Sequence, residues 1–124
     1  MIAADTSAWI DHSKGIDSEY AIHLQNALAS DVLVMPEPVL FEVLSAPNLS
    51  QKIANEFLRL PRLELITGFW ERSARLRRDL LKKDLKARGM DCLIAQNCID
   101  HKVPLICRDR DFRHFAKFGL TLIE

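Results

Sequence analysis

Five carboxylates interrupt stretches of this 124-residue chain that otherwise read as buried. Asp5 follows directly on "MIAA", Glu42 sits inside "PEPVLFEVLSAP", Asp91 opens "DCLIAQNCI", and Asp109 and Asp111 follow "PLIC". An ion moved out of water is costly unless something pairs with it. Glu42 is the hardest to dismiss, because its helical neighbours Pro38, Val39, Ser45 and Ala46 carry no charge. Asp5 and Asp91 each have a local account as helix starts, where free N–H groups favour an anion, and Asp109 and Asp111 have one as turn residues. Together they lie at strand ends and helix starts that a parallel sheet brings to one edge. Several carboxylates gathered there cannot all stay ionised without a cation, since like charges raise one another's pKa. The donors on offer are oxygens, which suits hard Mg²⁺ or Mn²⁺ better than zinc, while His12, His23, His101 and His114 are scattered.

A metal site of this kind suits phosphodiester hydrolysis, in which the cation acidifies an attacking water and steadies the phosphoryl charge. No protein nucleophile is required. A non-catalytic module whose acids dock an arginine-bearing partner is the rival from another class. A phosphatase for small phosphate esters is the second rival, although "DTS" offers no DxD pair after the first strand. The glycine patterns of dinucleotide and P-loop sites are absent.

The elements that must position these acids alternate short apolar runs with longer helical patterns. "MIAA", "VLVM" at 32–35, "LELIT" at 63–67, "PLIC" at 104–107 and "LTLI" at 120–123 read as strands apolar on both sides. Such strands belong to a mostly parallel sheet covered by helices, a three-layer α/β/α sandwich. The clearest helix is predicted from Phe69 to Arg88, with Gly89 as its stop. Phe69, Trp70, Ala74, Leu76, Leu80, Leu81 and Leu85 share its apolar face, which Arg77 and Asp84 interrupt, either pairing with each other or with Arg77 reaching elsewhere. Arg72, Arg75, Arg78, Lys82, Lys83 and Lys86 form the opposite, basic stripe, readable as a solvated face or as a surface that tracks phosphates.

With 48% hydrophobic residues the chain can build one compact core, so one domain over 1–124 is expected. Its 17 basic and 17 acidic groups balance, so any nucleic-acid binding must come from local clustering. No run is long enough to span a membrane and "MIAADTSAW" lacks a signal-peptide pattern, which points to the cytoplasm. Cys92, Cys98 and Cys107 lie in apolar segments and read as reduced core thiols. Trp9, Ile10, Phe57, Leu58 and Leu60 are candidates either for the core or for apolar contact with a partner.

"MIAADTSAWID", "PEPVLFEVLSAP" and "GMDCLIAQNCIDHKVPLICRDRDF" together resemble the PIN-domain nucleases, most closely the VapC-type toxins, over nearly the whole chain. The specific part is the order of the acids: Asp after the first strand followed by Thr and Ser, Glu in an apolar helix, Asp opening "DCLIA", then "RDRDF". The resemblance implies a Mg²⁺- or Mn²⁺-dependent RNA endonuclease, usually a homodimer, held inactive by a VapB-type antitoxin. It matches Asp5, Glu42, Asp91 and Asp109 to the family's acidic quartet, with Asp111 as an additional or supporting acid. Thr6 or Ser7 would orient a metal-held water, and Arg72, Arg75 and Arg78 would guide RNA. Cys107 departs from the family, which often has Thr two residues before the aspartate that follows this strand.

Overall fold

The computed structural model describes residues 1–124 and places five two-residue strands among six α-helices and a closing 3-10 helix. The strands are β1 (Ala3–Ala4), β2 (Met35–Pro36), β3 (Arg62–Leu63), β4 (Leu105–Ile106) and β5 (Leu122–Ile123). All pairings are parallel: β1 with β4, β4 with β5, and β2 with β3. A parallel bridge between Ile2 and Leu33 joins the two groups, so the strands run β3-β2-β1-β4-β5 across the molecule. The chain order therefore reverses beside β1, and a crevice opens at such a switch point, at the carboxyl ends of the strands.

Helices α1 (Thr6–Ser13) and α2 (Glu19–Ala29) connect β1 to β2, and α3 (Glu37–Leu44) and α4 (Gln51–Arg59) connect β2 to β3. The return from β3 to β4 carries α5 (Phe69–Lys82) and α6 (Gly89–His101). Right-handed crossovers in opposite directions put these two groups of helices on opposite faces of the sheet. Coverage of both faces is visible in Ala3, Ala4, Leu105 and Ile106, none more than 1% exposed. These strands and helices feed one contiguous cluster of buried residues that includes Leu24, Met35, Val39, Leu80, Ile94 and Phe115.

Local chemistry explains most helix starts. The side chains of Asp5, Ser18 and Ser50 accept from the backbone N–H groups of Ala8, Ala21 and Ile53, capping α1, α2 and α4. Pro38 stands in the first turn of α3, where its missing N–H costs nothing.

Several expected boundaries shift. The second strand falls at Met35–Pro36, with Leu33 contributing only the bridge, and the third at Arg62–Leu63 instead of 63–67. The long helix ends at Lys82, six residues short of Arg88. Asp84 there adopts φ +56°, its N–H bonds the Leu81 carbonyl, and the Leu85 N–H bonds the Leu80 carbonyl. That pair of bonds closes a helix through a left-handed residue, and Asp tolerates the conformation better than most. Gly89 consequently opens α6 instead of stopping α5. Arg77 does not pair with Asp84: its Nε donates to the Ala87 carbonyl at 2.9 Å. Trp70 and Leu81 are exposed, and the buried face of α5 is Phe69, Ser73, Leu76 and Leu80.

Candidate active site

Asp5 emerges from β1 straight into the cap of α1 and is 2% exposed. One carboxylate oxygen accepts the Ala8 N–H at 2.8 Å and the other the Arg108 N–H at 3.3 Å. Burial nevertheless pushes its pKa up to about 6, and the like charge of Asp91 adds to the rise while the N–H groups of Ala8, Arg108 and Asp109 oppose it.

The Thr6 hydroxyl, one residue on, donates to Glu42 Oε1 at 2.5 Å, linking α1 to α3 across 36 residues of sequence. Glu42 is half-buried near the end of α3. Ser7 is half-buried in the same first turn as Thr6.

Asp91 lies in the first turn of α6, half-buried, with its pKa also pushed up to about 6. Burial is the main cause, followed by the negative charge of Asp109; Arg88 opposes the rise, and Glu42 and Asp111 add to it. Asp109 caps the 3-10 helix Arg110–Phe118, its Oδ1 accepting the Asp111 N–H at 2.9 Å. Asp111 faces the Lys86 ammonium at 3.3 Å.

The fold thus brings all five carboxylates into one electrostatic neighbourhood, with Asp91 feeling Asp109, Glu42 and Asp111, and Asp5 feeling Asp91. No three of them converge closely enough to hold one ion in this arrangement. The donor set is hard oxygen and carries uncompensated negative charge, which fits a divalent cation; side-chain rotation would have to close it. Arg108 turns its guanidinium away to Asp11 at 2.6 Å, and Lys86 engages only Asp111.

The family model described as the PIN domain matches residues 2–118. The chain belongs to the PIN-domain family. Ribonuclease VapC11 of Mycobacterium tuberculosis is 28% identical over 124 residues, covering 94% of this chain and 92% of that protein. Among solved structures, Salmonella typhimurium VapBC bound to DNA matches with a TM-score of 0.72 at 16% identity, over 99% of this chain and 98% of that one. VapBC2 of Rickettsia felis, bound to a fragment of its promoter DNA, gives 0.70 at 18% identity over the same shares. Both likenesses are of fold.

Around this PIN-domain site the structure adds residues that the sequence alone did not single out. Asn97, fully buried in α6, accepts from the Glu37 N–H and donates to the Leu63 carbonyl, both at 3.2 Å, tying the body of α6 to the start of α3 and to β3. Its signal was the amide pair Gln96–Asn97 interrupting an apolar helix, the same kind of anomaly that exposed Glu42. Asp11 and Arg108 form a further pair on the helix that Asp5 caps, and nothing in the sequence pattern marks either one.

Arg72 has a structural role in α5. Its guanidinium donates to both oxygens of Asp100 at 2.9 and 2.6 Å and to the carbonyls of Thr67 and Ile66, so it clamps α5 to α6. Arg75 and Arg78 remain exposed. The three cysteines are buried and free, with burial pushing their thiols up to about 11 for Cys92 and about 12 for Cys98 and Cys107.

A groove of about 500 Å³ opens beside Thr6 and Glu42, lined on its apolar side by Trp9, Ile10, Val43 and Phe57. A smaller hollow beyond Trp9 is closed by Leu28 and Leu60. Trp9 and Phe57 are core residues whose rings meet edge-on at 5.2 Å, while Ile10 and Leu58 are exposed. No helix is long and apolar enough to cross a membrane.

Proposed function

We propose that this PIN domain is a metal-dependent endoribonuclease of the VapC toxin type, hydrolysing RNA phosphodiester bonds under the control of a VapB-type antitoxin. The observation that carries this reading is the gathering of Asp5, Glu42, Asp91, Asp109 and Asp111 at the carboxyl edge of a parallel sheet, where burial and the neighbouring negative charges raise the pKa of Asp5 and of Asp91. Its relative VapC11 is named a ribonuclease. Asp5, Glu42, Asp91 and Asp109 would hold Mg²⁺, for which Mn²⁺ substitutes, with Asp111 as a fifth ligand or a support. When bound, the cation supplies charge neutralisation at the phosphoryl oxygens and a more acidic attacking water.

The chain's own residues set the rest. Two N–H groups fix the Asp5 carboxylate, and the Thr6 hydroxyl fixes one oxygen of Glu42, leaving Oε2 to orient water. Water attacks phosphorus, the bond from phosphorus to the leaving sugar oxygen breaks, and that oxygen takes up a proton. Arg75 and Arg78 would guide the RNA backbone, since both stay exposed on α5.

The expected partner is an antitoxin segment laid along the groove of Trp9, Ile10 and Phe57, with an arginine reaching the acids past Glu42. A second copy of the chain is the other expected protein partner. Hydrolysis of labelled RNA with Mg²⁺ or Mn²⁺ tests the activity: it should disappear in Asp5→Asn and in Asp91→Asn. Undiminished cleavage by both variants would sink the site assignment.

A further inference from the structure

We propose that Asp11 and Arg108 are positioning residues, a buried-to-surface ion pair that fixes the turn carrying Asp109 against the helix carrying Asp5. The catalytic half of this inference rests on the nuclease reading above. The pinning half does not.

The starting point is a buried carboxylate that the acidic quartet does not use. The Asp11 side chain, in the second turn of α1, is 3% exposed. A charge so placed must be paired, and its partners are the Arg108 guanidinium at 2.6 Å and, more distantly, the Ser18 hydroxyl at 3.4 Å. Arg108 itself is half-exposed, so the pair is not there to bury an arginine.

What Arg108 does with its main chain gives the pair a purpose. Its backbone N–H donates to Asp5 Oδ2 while its side chain donates to Asp11. Asp5 and Asp11 belong to the same helix, and six residues of helix separate them by roughly 9 Å along the axis. One residue is therefore attached to one rigid helix at two well-separated points. A single bond would leave the turn free to swing about it; two points remove that freedom.

The firmer of the two attachments is the remote one. At 3.3 Å the Arg108 N–H to Asp5 bond is long, whereas the ion pair at 2.6 Å is short and charge-assisted. The next residue is Asp109, whose backbone N–H also faces Asp5 and whose Oδ1 is held by the Asp111 N–H. The direction left to Asp109 Oδ2 is thus set by the turn, and the turn is set by Arg108. Misplacement of a ligand by about 1 Å is enough to cost orders of magnitude in rate.

The experiment uses the full chain and two readouts. In metal-free protein, amide hydrogen exchange should quicken severalfold at Arg108 and Asp109 in Asp11→Asn and in Arg108→Gln, with exchange in β1 and β4 unchanged. In RNA cleavage with Mn²⁺, each variant should lose about 10- to 100-fold in kcat at unchanged KM, as supporting residues of metal sites do. The double variant should be no worse than the worse single one, and Arg108→Lys should recover most of the loss. Arg108→Gln, at a half-exposed position, keeps the test alive if Asp11→Asn fails to fold. Unchanged exchange at Arg108 and Asp109 overturns the pinning. A raised KM with intact kcat overturns the catalytic half in favour of direct RNA contact by Arg108. Quickened exchange in the two variants, with a wild-type chain that cleaves no RNA, would sustain the pinning and reject the nuclease reading alone.

Discussion

Thr6 donates its hydroxyl proton to Glu42 Oε1 at 2.5 Å, joining the first turn of α1 to the last turn of α3. The bond ties together two acids that the chain holds far apart, because Asp5 caps the helix on which Thr6 stands. A hydroxyl in this place acts on the direction of the Glu42 carboxylate instead of on its charge. Thr6→Val keeps the shape and removes the donor. It should lower kcat for RNA cleavage about tenfold, in line with other residues that orient a ligand, and Thr6→Ser should restore it. Equal turnover by Thr6→Val and wild type would show that Glu42 needs no such support.

Asp5 makes the metal-free protein sensitive to pH in a defined direction. Its folded-state pKa, pushed up to about 6 by burial, exceeds the ordinary value of 3.8, so the fold binds this proton more tightly than the unfolded chain does. The resulting stability is fully present below about pH 4 and is lost as pH rises through 6. Asp5→Asn should therefore stabilise the metal-free chain at pH 7 by on the order of 2 kcal/mol and by little at pH 4. Asp91 works in the same direction, more weakly because it is half-exposed to water. Urea unfolding at the two pH values measures the difference, and a variant less stable than wild type at pH 7 contradicts it. Added Mn²⁺ should stabilise wild type and not the variant.

Asn97 is the polar joint of the interior. Replacing it with Ala leaves the Glu37 N–H and the Leu63 carbonyl without their side-chain partner and opens a small void. The cost should be about 2 to 4 kcal/mol, the sum expected for two stranded polar groups and lost packing. Chemical denaturation reads it directly, and a loss below about 1 kcal/mol would mean that water replaces the amide.

The basic face of α5 should divide by function. Arg72→Gln releases Asp100 and the carbonyls of Ile66 and Thr67, so the unfolding temperature should fall while KM for RNA stays the same. Arg75→Gln combined with Arg78→Gln should leave stability unchanged and raise KM severalfold at low salt. That rise should fade as salt increases, as expected for contacts to phosphates. If KM responds to Arg72→Gln alone, the assignment is reversed.

Much of the candidate site was legible because it is built from anomalies. Glu42 in an apolar helix, Asp5 at the end of "MIAA" and Asp91 opening "DCLIA" each break a hydrophobic pattern, and a broken pattern survives reduction to one dimension. Helix ends were less legible. The early stop at Lys82 depends on Asp84 taking a left-handed conformation, which a pattern of apolar spacing does not encode, and the loss of that turn displaced Gly89 from stop to start. The structural partner of one member of the basic stripe was hidden for a related reason. Arg72 sits in register with Arg75 and Arg78, but only packing of α5 on α6 brings Asp100 within reach of it.

The sequence by itself determined the class of fold, the parallel arrangement of apolar strands, and the acids that would be costly to bury without a shared purpose. Periodicity and unpaired charge are local quantities, and they act before any long-range contact forms. Tertiary structure alone decided how those acids are held: Thr6 on Glu42, the Arg108 N–H on Asp5, and Arg108 on Asp11 across 97 positions of sequence. Such partners are chosen by the crossing of α1, α3 and the turn after β4. Hydrogen bonds and ion pairs act over a few ångström, so they exist only once the sheet order β3-β2-β1-β4-β5 has put those elements side by side.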